Sequence, residues 1–466
     1  MWTLALLTVA PVSVWASASP PLTPFCSPKQ AVTARDAFLV AFPVFTMAQT
    51  RARSVTNAQT NSTNVINRFR HRARLAGPED RAVTTPNNDT LISSSWLDLA
   101  KSPVALSIPS LPSRYHSVAL MDIHSDNFAV LSNYADNKNI GGKYLLVGPA
   151  WRGSAPPGHQ LIRAPGNDVW ALARILVAGP DDLPAATAAQ QLFVLEESSV
   201  GNNANKTLPT APSLVEDTND PVAFLTSVNT MLVRNPLPTT RFTSVCMRKL
   251  TQFGIGIAPP DKLTPKQESS WRQSMPTWRA ELVGGFFAVG TTKNGWSYPW
   301  PGMGDFGQQH FYRAAVAQGG LAALPATEAV YFTAVTDNAN APLDGKRPAT
   351  LHIPAMIPLL ENGFWSVSMY MLTADGRRFF VENPIKRYSI GDRTPNLVRN
   401  RDGSVTLLLQ PEQPTSTASG DATIGNWLPT PAGRYELVFR IYRPARIVQQ
   451  NAWHLPPVTG SNAPPN

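Results

Sequence analysis

The chain has 466 residues, of which 43% are hydrophobic and 15% are charged, and its formal net charge is +9. This composition excludes wholesale disorder and a long charged coiled coil, and the length predicts two domains, with three as the alternative. The 44 prolines favour a strand-rich, loop-rich protein over a helical bundle, because proline interrupts helices.

The first 18 residues predict export from the cell. Residues 2–15 are apolar apart from Thr and Ser, and Ala16-Ser17-Ala18 follows them as an A-x-A cleavage signal. We therefore expect a signal peptide over 1–18 and a secreted or periplasmic protein without a lipid anchor, with a buried N-terminal helix as the alternative. No internal run reaches the roughly 18 to 20 apolar residues that span a bilayer, so we predict no transmembrane segment. An exported chain can pair its two cysteines, Cys26 and Cys246, and the sequence leaves this pairing open.

The segment 28–165 predicts an N-terminal β-domain with a leading helix. Residues 28–50 carry apolar side chains close to a 3.6-residue period, and Pro43 interrupts the end of this helix. From about residue 83, short alternating runs lie between turn signals, and 115–123 is one such strand. This pattern is typical of a β-sandwich or jelly roll.

Part of the positive charge is concentrated in arginines at every second position between 68 and 74. On a strand they share one face. One interpretation is contact with a polyanion such as an anionic envelope polymer, and the other is a solvated strand whose arginines pair with Glu79 and Asp80. No nucleic-acid motif accompanies the run, so we favour the ion-paired strand and predict no nucleic-acid partner.

Helical signals return in the middle segment, 166–325. Asp220 is an N-cap residue followed by proline at the first helical position. Thr264 and Gln267 have the spacing of a capping box, which marks the start of a second helix. A third helix is expected over 306–324.

The last strands predict a C-terminal β-sandwich over 326–445, followed by a Pro-rich tail over 446–466. Asp375-Gly376 and Asp402-Gly403 each lie between two alternating runs and predict a hairpin. The predicted fold class is therefore mainly β with α, with two β-sandwich, jelly-roll-like domains joined by a helical middle segment.

Several runs resemble a known bacterial family. In the N-terminal half they are Thr85-Pro86-Asn87-Asn88-Asp89-Thr90-Leu91, Ser95-Trp96-Leu97-Asp98-Leu99 and Arg114-Tyr115-His116-Ser117. In the C-terminal half they are Phe364-Trp365-Ser366, Arg387-Tyr388-Ser389-Ile390-Gly391-Asp392-Arg393 and Asn426-Trp427-Leu428-Pro429. The chain resembles the bacterial two-domain family that pairs domain of unknown function 1254 with domain of unknown function 1214. The resemblance implies two sandwiches with a helical insert in an exported or envelope-associated protein, and it implies no assigned activity.

The residues Asp122, His124 and Asp126 alternate on the predicted strand and would share one face, which resembles a metal site. At about 3.3 Å per residue, the two aspartates are roughly 13 Å apart along a regular strand, too far for one ion. His124 with one aspartate is a weak metal candidate, and a solvent-facing row is the alternative. The G-x-G-x-x-G run at 302–307 follows prolines instead of a strand, so we predict no cofactor.

Two polar runs have both a structural and a functional interpretation. Asn87, Asn88 and Asp89 follow a proline, and such side chains either form an Asx turn or read the hydroxyls of a ligand. Arg387 either clamps an anion or bridges loops between the domains.

Two functions are compatible with these residues. The first is non-catalytic binding of a small molecule or envelope glycan in a groove between the domains, with self-association left open. Its proposed ligand-binding residues are Asn87, Asn88, Trp96, Tyr115, Trp365, Tyr370, Arg387, Tyr388 and Trp427, with Arg387 as the anion contact. The second is an exported hydrolase, with or without a metal, whose acid–base candidates are Asp89, Asp122 and Asp126. Burial of one of these acids without an arginine partner would favour the hydrolase.

Overall fold

The computed structural model describes residues 31–60, 66–81, 84–132, 141–201, 208–235, 244–256, 263–288, 290–373, 376–414 and 422–460. The predicted signal peptide and Cys26 lie outside these residues, whereas Cys246 is buried and disulfide-bonded. The helices are α1 (Ala34–Thr60), α2 (Leu183–Gln190), α3 (Pro221–Arg234), α4 (Ser244–Thr251), α5 (Pro265–Ala288), α6 (His310–Gly319), α7 (Ala422–Gly425) and α8 (Arg446–Gln449). In the described part of the chain, no helix combines the length and the apolar content needed to cross a bilayer.

The strands fall into an N-terminal and a C-terminal set. The N-terminal strands are β1 (Arg70–Arg72), β2 (Thr90–Asp98), β3 (Val104–Ile108), β4 (His116–Met121), β5 (Asn127–Ser132), β6 (Gly142–Val147), β7 (His159–Arg163), β8 (Asp168–Leu176) and β9 (Val194–Glu197). The C-terminal strands are β10 (Gly290–Lys293), β11 (Trp296–Pro299), β12 (Ala329–Ala334), β13 (Ala349–Ile353), β14 (Leu359–Leu372), β15 (Arg378–Phe379), β16 (Ser389–Gly391), β17 (Val405–Gln410), β18 (Trp427–Pro429), β19 (Tyr435–Pro444) and β20 (Val458–Gly460).

The N-terminal strands form two sheets that share one hydrophobic core. One sheet has the order β1-β2-β8-β4-β5 and is antiparallel, and the other has the order β7-β6-β3-β9 with a parallel β6–β7 pair. Leu97 and Val118 of the first sheet and Leu106 and Leu146 of the second belong to the same buried cluster. Alternate side chains along each strand reach this core, as the period of two requires.

The C-terminal strands repeat this arrangement. The larger sheet has the order β10-β11-β12-β19-β14-β15, with β16 also paired to β14, and the smaller has the order β18-β17-β13-β20. Leu437 and Ile441 of the larger sheet share a buried cluster with Leu351 and Leu407 of the smaller one. The structure is thus mixed α/β and strand-rich, with several mainly antiparallel sheets, in agreement with the coarse fold class predicted from the sequence.

The helices have a core of their own. Phe38 of α1 packs against Phe224 of α3 at 5.6 Å between ring centroids and against Trp271 of α5 at 6.4 Å. The same cluster includes Ala315 of α6. The leading helix that the sequence assigned to the N-terminal β-domain therefore packs in the helical region.

The sequence predicted a helix over 28–50 whose end Pro43 interrupts, whereas helix α1 begins at Ala34 and continues through Pro43 to Thr60. Proline inside a helix removes a backbone hydrogen bond and costs about 3 kcal/mol. Phe38 and Phe42 before the proline, and Phe45 and Ala48 after it, are all buried in the helical core. Burial of apolar side chains on both sides of the proline offsets its cost.

The middle segment begins later than the sequence indicated. Strand β8, which falls in the predicted helical segment, is the central strand of the five-stranded sheet, and β9 joins the four-stranded sheet. The third predicted helix, 306–324, is shorter than expected, because α6 spans only His310–Gly319. At the other end of the chain, β20 pairs with β13, so part of the predicted Pro-rich tail is a strand of the smaller C-terminal sheet.

The predicted helix caps are confirmed. The side chain of Asp220 accepts a hydrogen bond from Val222 N at 3.1 Å, with Pro221 at the first helical position of α3. Thr264 N donates to Gln267 Oε1 at 2.9 Å, and Gln267 N donates back to Thr264 Oγ1 at 3.3 Å, which completes the capping box of α5.

One of the two predicted hairpins forms. Strands β14 and β15 pair antiparallel next to Gly376, and Asp375 lies outside the described residues. The hairpin at Asp402-Gly403 was wrong, because β17 pairs with β13 and β18 instead. The segment before Gly403 is held by the side chain of Asn426, which accepts from Val398 N and donates to Val398 O, both at 2.8 Å. A side-chain amide thus takes the place of a strand partner.

Candidate functional site

Asp122, His124 and Asp126 lie in a tight turn and not on a strand face, which corrects the prediction. Strand β4 ends at Met121, and Asp122 N donates to Asp126 O at 3.0 Å. Asp122 Oδ1 accepts from His124 N at 2.9 Å and from Asp126 N at 3.1 Å. The carboxylate of Asp122 stabilises this turn by satisfying two backbone donors.

The carboxylate of Asp126 is fully buried and forms an ion pair with an arginine. Arg313 Nη1 of α6 lies 2.7 Å from Asp126 Oδ2, and Phe306 N donates to Asp126 Oδ1 at 2.8 Å. Among the residues that the structure describes, no group of three His, Cys, Asp or Glu side chains is close enough to hold a metal ion. Asp126 therefore joins the turn to the helical region.

Asn87 begins an Asx turn and also reaches the C-terminal half. Its Oδ1 accepts from Asp89 N at 2.7 Å and from Thr90 N at 3.0 Å, which is the turn that the sequence favoured. Its Nδ2 donates to Tyr442 Oη of β19 at 2.6 Å. Asn87 therefore shapes its own turn and also bonds a residue that is 355 positions away in the sequence.

The residues around this turn form a polar seam between the N-terminal and C-terminal sheets. We define the seam by the contacts of residues 85–89 with β14, β16 and β19. The contacts are Ser366 Oγ to Asp89 Oδ2 at 2.7 Å, Ser389 Oγ to Asn88 Oδ1 at 3.2 Å, Tyr370 Oη to the Pro86 carbonyl at 2.6 Å and Arg440 Nη2 to the Thr85 carbonyl at 3.3 Å. Three of the runs that carry the family resemblance, one from the N-terminal half and two from the C-terminal half, therefore meet at the seam.

Tyr115 extends the contact between the halves beyond the seam. Its Oη donates to Glu328 Oε1 at 2.5 Å, and its ring packs edge-on against Phe364 at 5.3 Å and Tyr442 at 5.4 Å. Burial raises the pKa of Tyr115 well above its ordinary value, and burial also raises the pKa of Glu328. Tyr115 therefore connects the two halves of the chain through one hydrogen bond and two ring contacts.

Arg440 supplies the positive charge of the seam. It is buried, and its Nη2 donates to Tyr370 Oη at 2.8 Å while its Nη1 donates to Ser368 Oγ at 2.8 Å. Burial opposes its charge, but Tyr370, Tyr442 and Asp89 together raise the pKa of Arg440. Asp89 therefore has a cationic neighbourhood, to which Arg393 also contributes at 3.8 Å.

The three tryptophans proposed to line a groove are not brought together. Trp96 stacks on Trp170 at 5.7 Å, and Trp365 stacks on Phe439 at 5.6 Å. Trp427 donates its indole N–H to the Gln410 carbonyl at 2.8 Å. All three tryptophans are buried.

Arg387 and Tyr388 line a small pocket, partly open to solvent, at the C-terminal sheets. The pocket lies beside β14, the loop between β15 and β16, and the residues around the end of β18. Its lining residues are Met369, Met371, Val381, Glu382, Asn383, Arg387, Tyr388, Pro429, Thr430 and Pro431. Because successive strand side chains point to opposite faces, the two methionines face away from the seam residue Tyr370.

The side chain of Asn383 shapes the loop that carries Arg387. Asn383 Oδ1 accepts from Arg387 N at 3.0 Å, and its Nδ2 donates to Arg387 O at 2.9 Å. Arg387 Nη1 donates to the carbonyls of Ile424 at 2.5 Å and Trp427 at 2.8 Å. In the described ranges, no carboxylate pairs with Arg387, and burial lowers its pKa. The Nη1 group of Arg387 is therefore held by backbone carbonyls, and its guanidinium lies at the pocket.

Glu382 and Tyr388 form the second polar element of the pocket. Tyr388 Oη donates to Glu382 Oε2 at 3.1 Å, and burial together with Glu382 raises the pKa of Tyr388 to about 12. Sequence reasoning missed Glu382, Thr430 and the two methionines. Position within the β14 strand places Met369 and Met371 on one face, but the sequence does not show which loop covers that face.

Two of the four arginines in the basic run near the N-terminal sheet, Arg72 and Arg74, are ion-paired. Arg72 pairs with Asp80, and Arg74 contacts both Asp80, at 2.8 Å, and Glu79. These are the acids that the ion-paired interpretation named. The contacts lower the pKa of Asp80 despite its partial burial.

The family comparisons agree with this architecture. The chain matches the family described as protein of unknown function (DUF1254) over residues 66–197 and the one described as protein of unknown function (DUF1214) over residues 328–446. It therefore belongs to the bacterial two-domain family that pairs them. The first match spans β1 to β9, so its boundary coincides with the N-terminal sheets that the structure shows.

A solved structure shares the fold along almost the whole length. The crystal structure of the VPA0106 protein from Vibrio parahaemolyticus matches with a TM-score of 0.68 and 22% sequence identity, over 92% of this chain and 99% of that one. A putative uncharacterized protein from Burkholderia cenocepacia gives a TM-score of 0.43 at 11% identity, over 93% and 90%. No curated protein matches the chain.

Proposed function

We propose that the protein is exported and binds a small molecule or glycan fragment, without catalysis, in the pocket beside Arg387. The observation that carries this proposal is a guanidinium at the pocket that has no carboxylate partner in the described part of the chain. Such a group binds a carboxylate or phosphate by charge-assisted hydrogen bonds. In this proposal each pair of sheets is a jelly-roll-like β-sandwich, because each pair encloses one core.

The seam supports placing the ligand in the pocket instead of between the two halves. Asn87, Asn88, Tyr115 and Tyr370, which were expected to line an open groove, make direct hydrogen bonds across the seam or beside it. Their polar groups already have protein partners, so a ligand would have to displace those contacts.

The surroundings of the three candidate acids weigh against a hydrolase. Asp122 stabilises a turn, Asp126 is paired with Arg313, and Asp89 accepts from Ser366 beside two arginines. A catalytic acid at neutral pH needs a pKa that burial or a like charge has raised. Each of the three carboxylates is instead bonded to protein groups, as a structural role requires.

Thermal shift measurements with a panel of small anions test the binding proposal. The panel contains glucuronate, glucose 6-phosphate and short carboxylic acids, each added in millimolar excess to wild-type protein. We expect at least one anion to raise the melting temperature of the wild type and to lose this effect in Arg387→Met. Arg399→Met is the matched control, because Arg399 is exposed, lies outside the pocket lining and donates to the Gly403 carbonyl.

Tyr388→Phe keeps the ring and gives a second, milder test if Arg387→Met folds poorly. It should weaken the response of any anion that contacts the Tyr388 hydroxyl. A panel with no stabilising member, or a response that Arg387→Met retains in full, contradicts the proposal.

Export is tested separately by recovering the protein from fractionated bacteria. We expect it outside the cytoplasm, with an N-terminus directly after residue 18 by intact mass. Recovery from the cytoplasm with the first 18 residues retained would contradict this part of the proposal.

A further inference from the structure

We propose that a strip of arginines that begins on β1 binds an acidic polysaccharide, a linear glycan with one carboxylate per sugar unit. The strip consists of Arg70, Arg72, Arg74, Arg81 and Arg377, and none of these residues lines the pocket beside Arg387. This inference therefore names a second binding surface, and it does not depend on the function proposed for the pocket.

The strip begins at the edge of the five-stranded N-terminal sheet. In the β1–β2 register, Arg70 lies opposite Ser94 and Arg72 lies opposite Ile92. The side chains of Arg70 and Arg72 share one face of the sheet, because alternate residues of a strand do, and they are about 6.6 Å apart along β1. Phe69, the residue before the strand, packs against the core of the N-terminal sheets.

Asp80 connects the next members of the strip. Its carboxylate contacts both Arg72 and Arg74, with 2.8 Å between Arg74 Nη1 and Asp80 Oδ2. Arg81 follows Asp80 directly in the chain, and its Nε donates to the Pro78 carbonyl at 2.8 Å. The strip therefore continues from β1 to Arg81 without a break.

Phe379 of β15 extends the strip to the C-terminal half. The guanidinium carbon of Arg81 lies 4.7 Å from the centroid of the Phe379 ring, and that of Arg377 lies 5.1 Å from it. Both cations contact the same ring, so they lie within about a Debye length of each other, roughly 10 Å in 0.1 M salt. Like charges repel at this separation, and a bound anion would relieve the repulsion.

The strip carries more positive charge than its acids neutralise. Residues 68–81 include five arginines, no lysine and only two acids, Glu79 and Asp80. In the described part of the chain, no carboxylate lies within ion-pair distance of Arg70 or Arg81, and both arginines are exposed. A planar guanidinium can bind a carboxylate through two parallel hydrogen bonds, which favours a carboxylated partner.

Charge spacing and the lack of exposed rings favour a polysaccharide over a nucleic acid. Duplex DNA carries one negative charge per about 1.7 Å of its axis, so its phosphates would also lie against Glu79 and Asp80. A glycan with one carboxylate per sugar has more widely spaced charges, as the arginines of β1 have. Proteins that bind single-stranded nucleic acids stack the bases on aromatic rings, whereas Phe379 is buried.

Fluorescence anisotropy with labelled polygalacturonate tests the proposal on the full-length protein. Fully methyl-esterified polygalacturonate is the matched neutral polymer. We expect the acidic polymer to bind at about 50 mM salt and to bind at least tenfold more weakly at about 500 mM, because salt screens exposed charges. The ester should not bind at either salt concentration.

Single arginine variants test whether the strip is the binding surface. Arg70→Gln and Arg81→Gln should each weaken binding about two- to fivefold, the range of single exposed ion pairs. Arg248→Gln is the matched control, because it removes an exposed arginine of α4 outside the strip, and it should leave binding unchanged. Arg70→Lys keeps the charge and should recover part of the binding, which separates a lost charge from a disturbed fold.

Four outcomes would overturn the proposal. They are no binding of the acidic polymer, equal binding of the ester, equal weakening by Arg248→Gln, and tighter strip-dependent binding of a DNA oligonucleotide of the same total charge. Equal weakening by Arg248→Gln would show that the net charge of +9 attracts the polymer without a specific surface. None of these outcomes affects the anion panel at Arg387, so the two proposals are tested separately.

Discussion

Arg234 of α3 forms two parallel hydrogen bonds with the carboxylate of Asp168, the first residue of β8. Arg234 Nε donates to Asp168 Oδ2 at 2.7 Å and Nη2 donates to Oδ1 at 3.0 Å, and both side chains are buried. Arg51 of α1 lies 3.1 Å from the same carboxylate. Asp98, the last residue of β2, lies 3.1 Å from Arg234 and 3.8 Å from Arg51, so two helices are fixed to the N-terminal sheet through two aspartates.

Asp168→Asn should lower the free energy of unfolding by about 3 kcal/mol, the lower end of the cost of breaking a buried pair, because the two buried arginines then share the carboxylate of Asp98 alone in the described part of the chain. Urea unfolding monitored by tryptophan fluorescence gives the number. Glu281→Gln, which breaks the exposed pair with Arg35, is the control and should cost less than about 1 kcal/mol. Equal losses of unfolding free energy in the two variants would show that the buried ion pair stabilises the protein no more than the exposed one.

Tyr370→Phe should destabilise the protein by about 1 to 3 kcal/mol through the seam. The change removes the donor to the Pro86 carbonyl and leaves Arg440 without one acceptor, while the ring still packs on Phe380 at 4.6 Å. The comparison is Tyr388→Phe, whose hydroxyl bonds the exposed Glu382. Urea midpoints measured side by side would contradict the prediction if both variants lost the same small amount.

His116 should make stability depend on pH between about 4 and 6.5. Burial lowers its pKa from 6.5 to about 4, and its ring packs edge-on against Phe193 at 5.5 Å. Between these values the unfolded chain binds a proton that the folded chain does not, so stability falls as the pH falls. The full contribution is about 3 kcal/mol.

His116→Gln removes this titration, and its urea stability should fall less than that of the wild type between pH 6.5 and pH 4. The exposed His352 gives the control variant His352→Gln, which should keep the wild-type slope. Parallel slopes for all three proteins would rule out a buried neutral imidazole at position 116.

Arg279→Met should loosen the helical core by about 1 to 2 kcal/mol. The guanidinium lies 5.1 Å from the ring centroid of Phe42 and 5.9 Å from that of Phe224, and burial lowers its pKa to about 10. Methionine keeps the apolar stem and loses only the charge and the hydrogen bond to Thr218 O at 2.6 Å. Thermal unfolding should detect the difference, and an unchanged melting temperature would mean that the aromatic contacts contribute nothing.

Local features of the fold were predictable from the sequence, and their partners were not. The Asp220 cap and the Thr264–Gln267 capping box depend on residues two or three positions apart, so the pattern contains all the interacting groups. Helix α1 passes Pro43 because of burial by α3 and α5, which lie more than 170 positions away. Propensity alone does not contain that burial.

The same limit applies to the candidate site. Arg387 and Tyr388 were selected from a run that resembles the family, and the structure places both at the pocket. The sequence indicated alternation along β14 but not which loop would cover Met369 and Met371. The Asn87 turn was predictable because the side chain of Asn87 bonds the backbone only two residues further along the chain. Its hydrogen bond to Tyr442 depends on how two sheets pack, which the sequence does not show.

The seam has a consequence for anyone who wishes to divide the molecule. A truncated chain ending at residue 235 would retain Asn87 and Asp89 but lose the hydroxyls of Tyr442 and Ser366 that they bond. In the complementary fragment, the guanidinium of Arg440 and the phenol of Tyr370 would be exposed to water, although both are buried in the intact protein. We expect the two fragments to be poorly soluble apart and to recover a native spectrum only when mixed, which is the behaviour of two family domains that unfold as one cooperative unit.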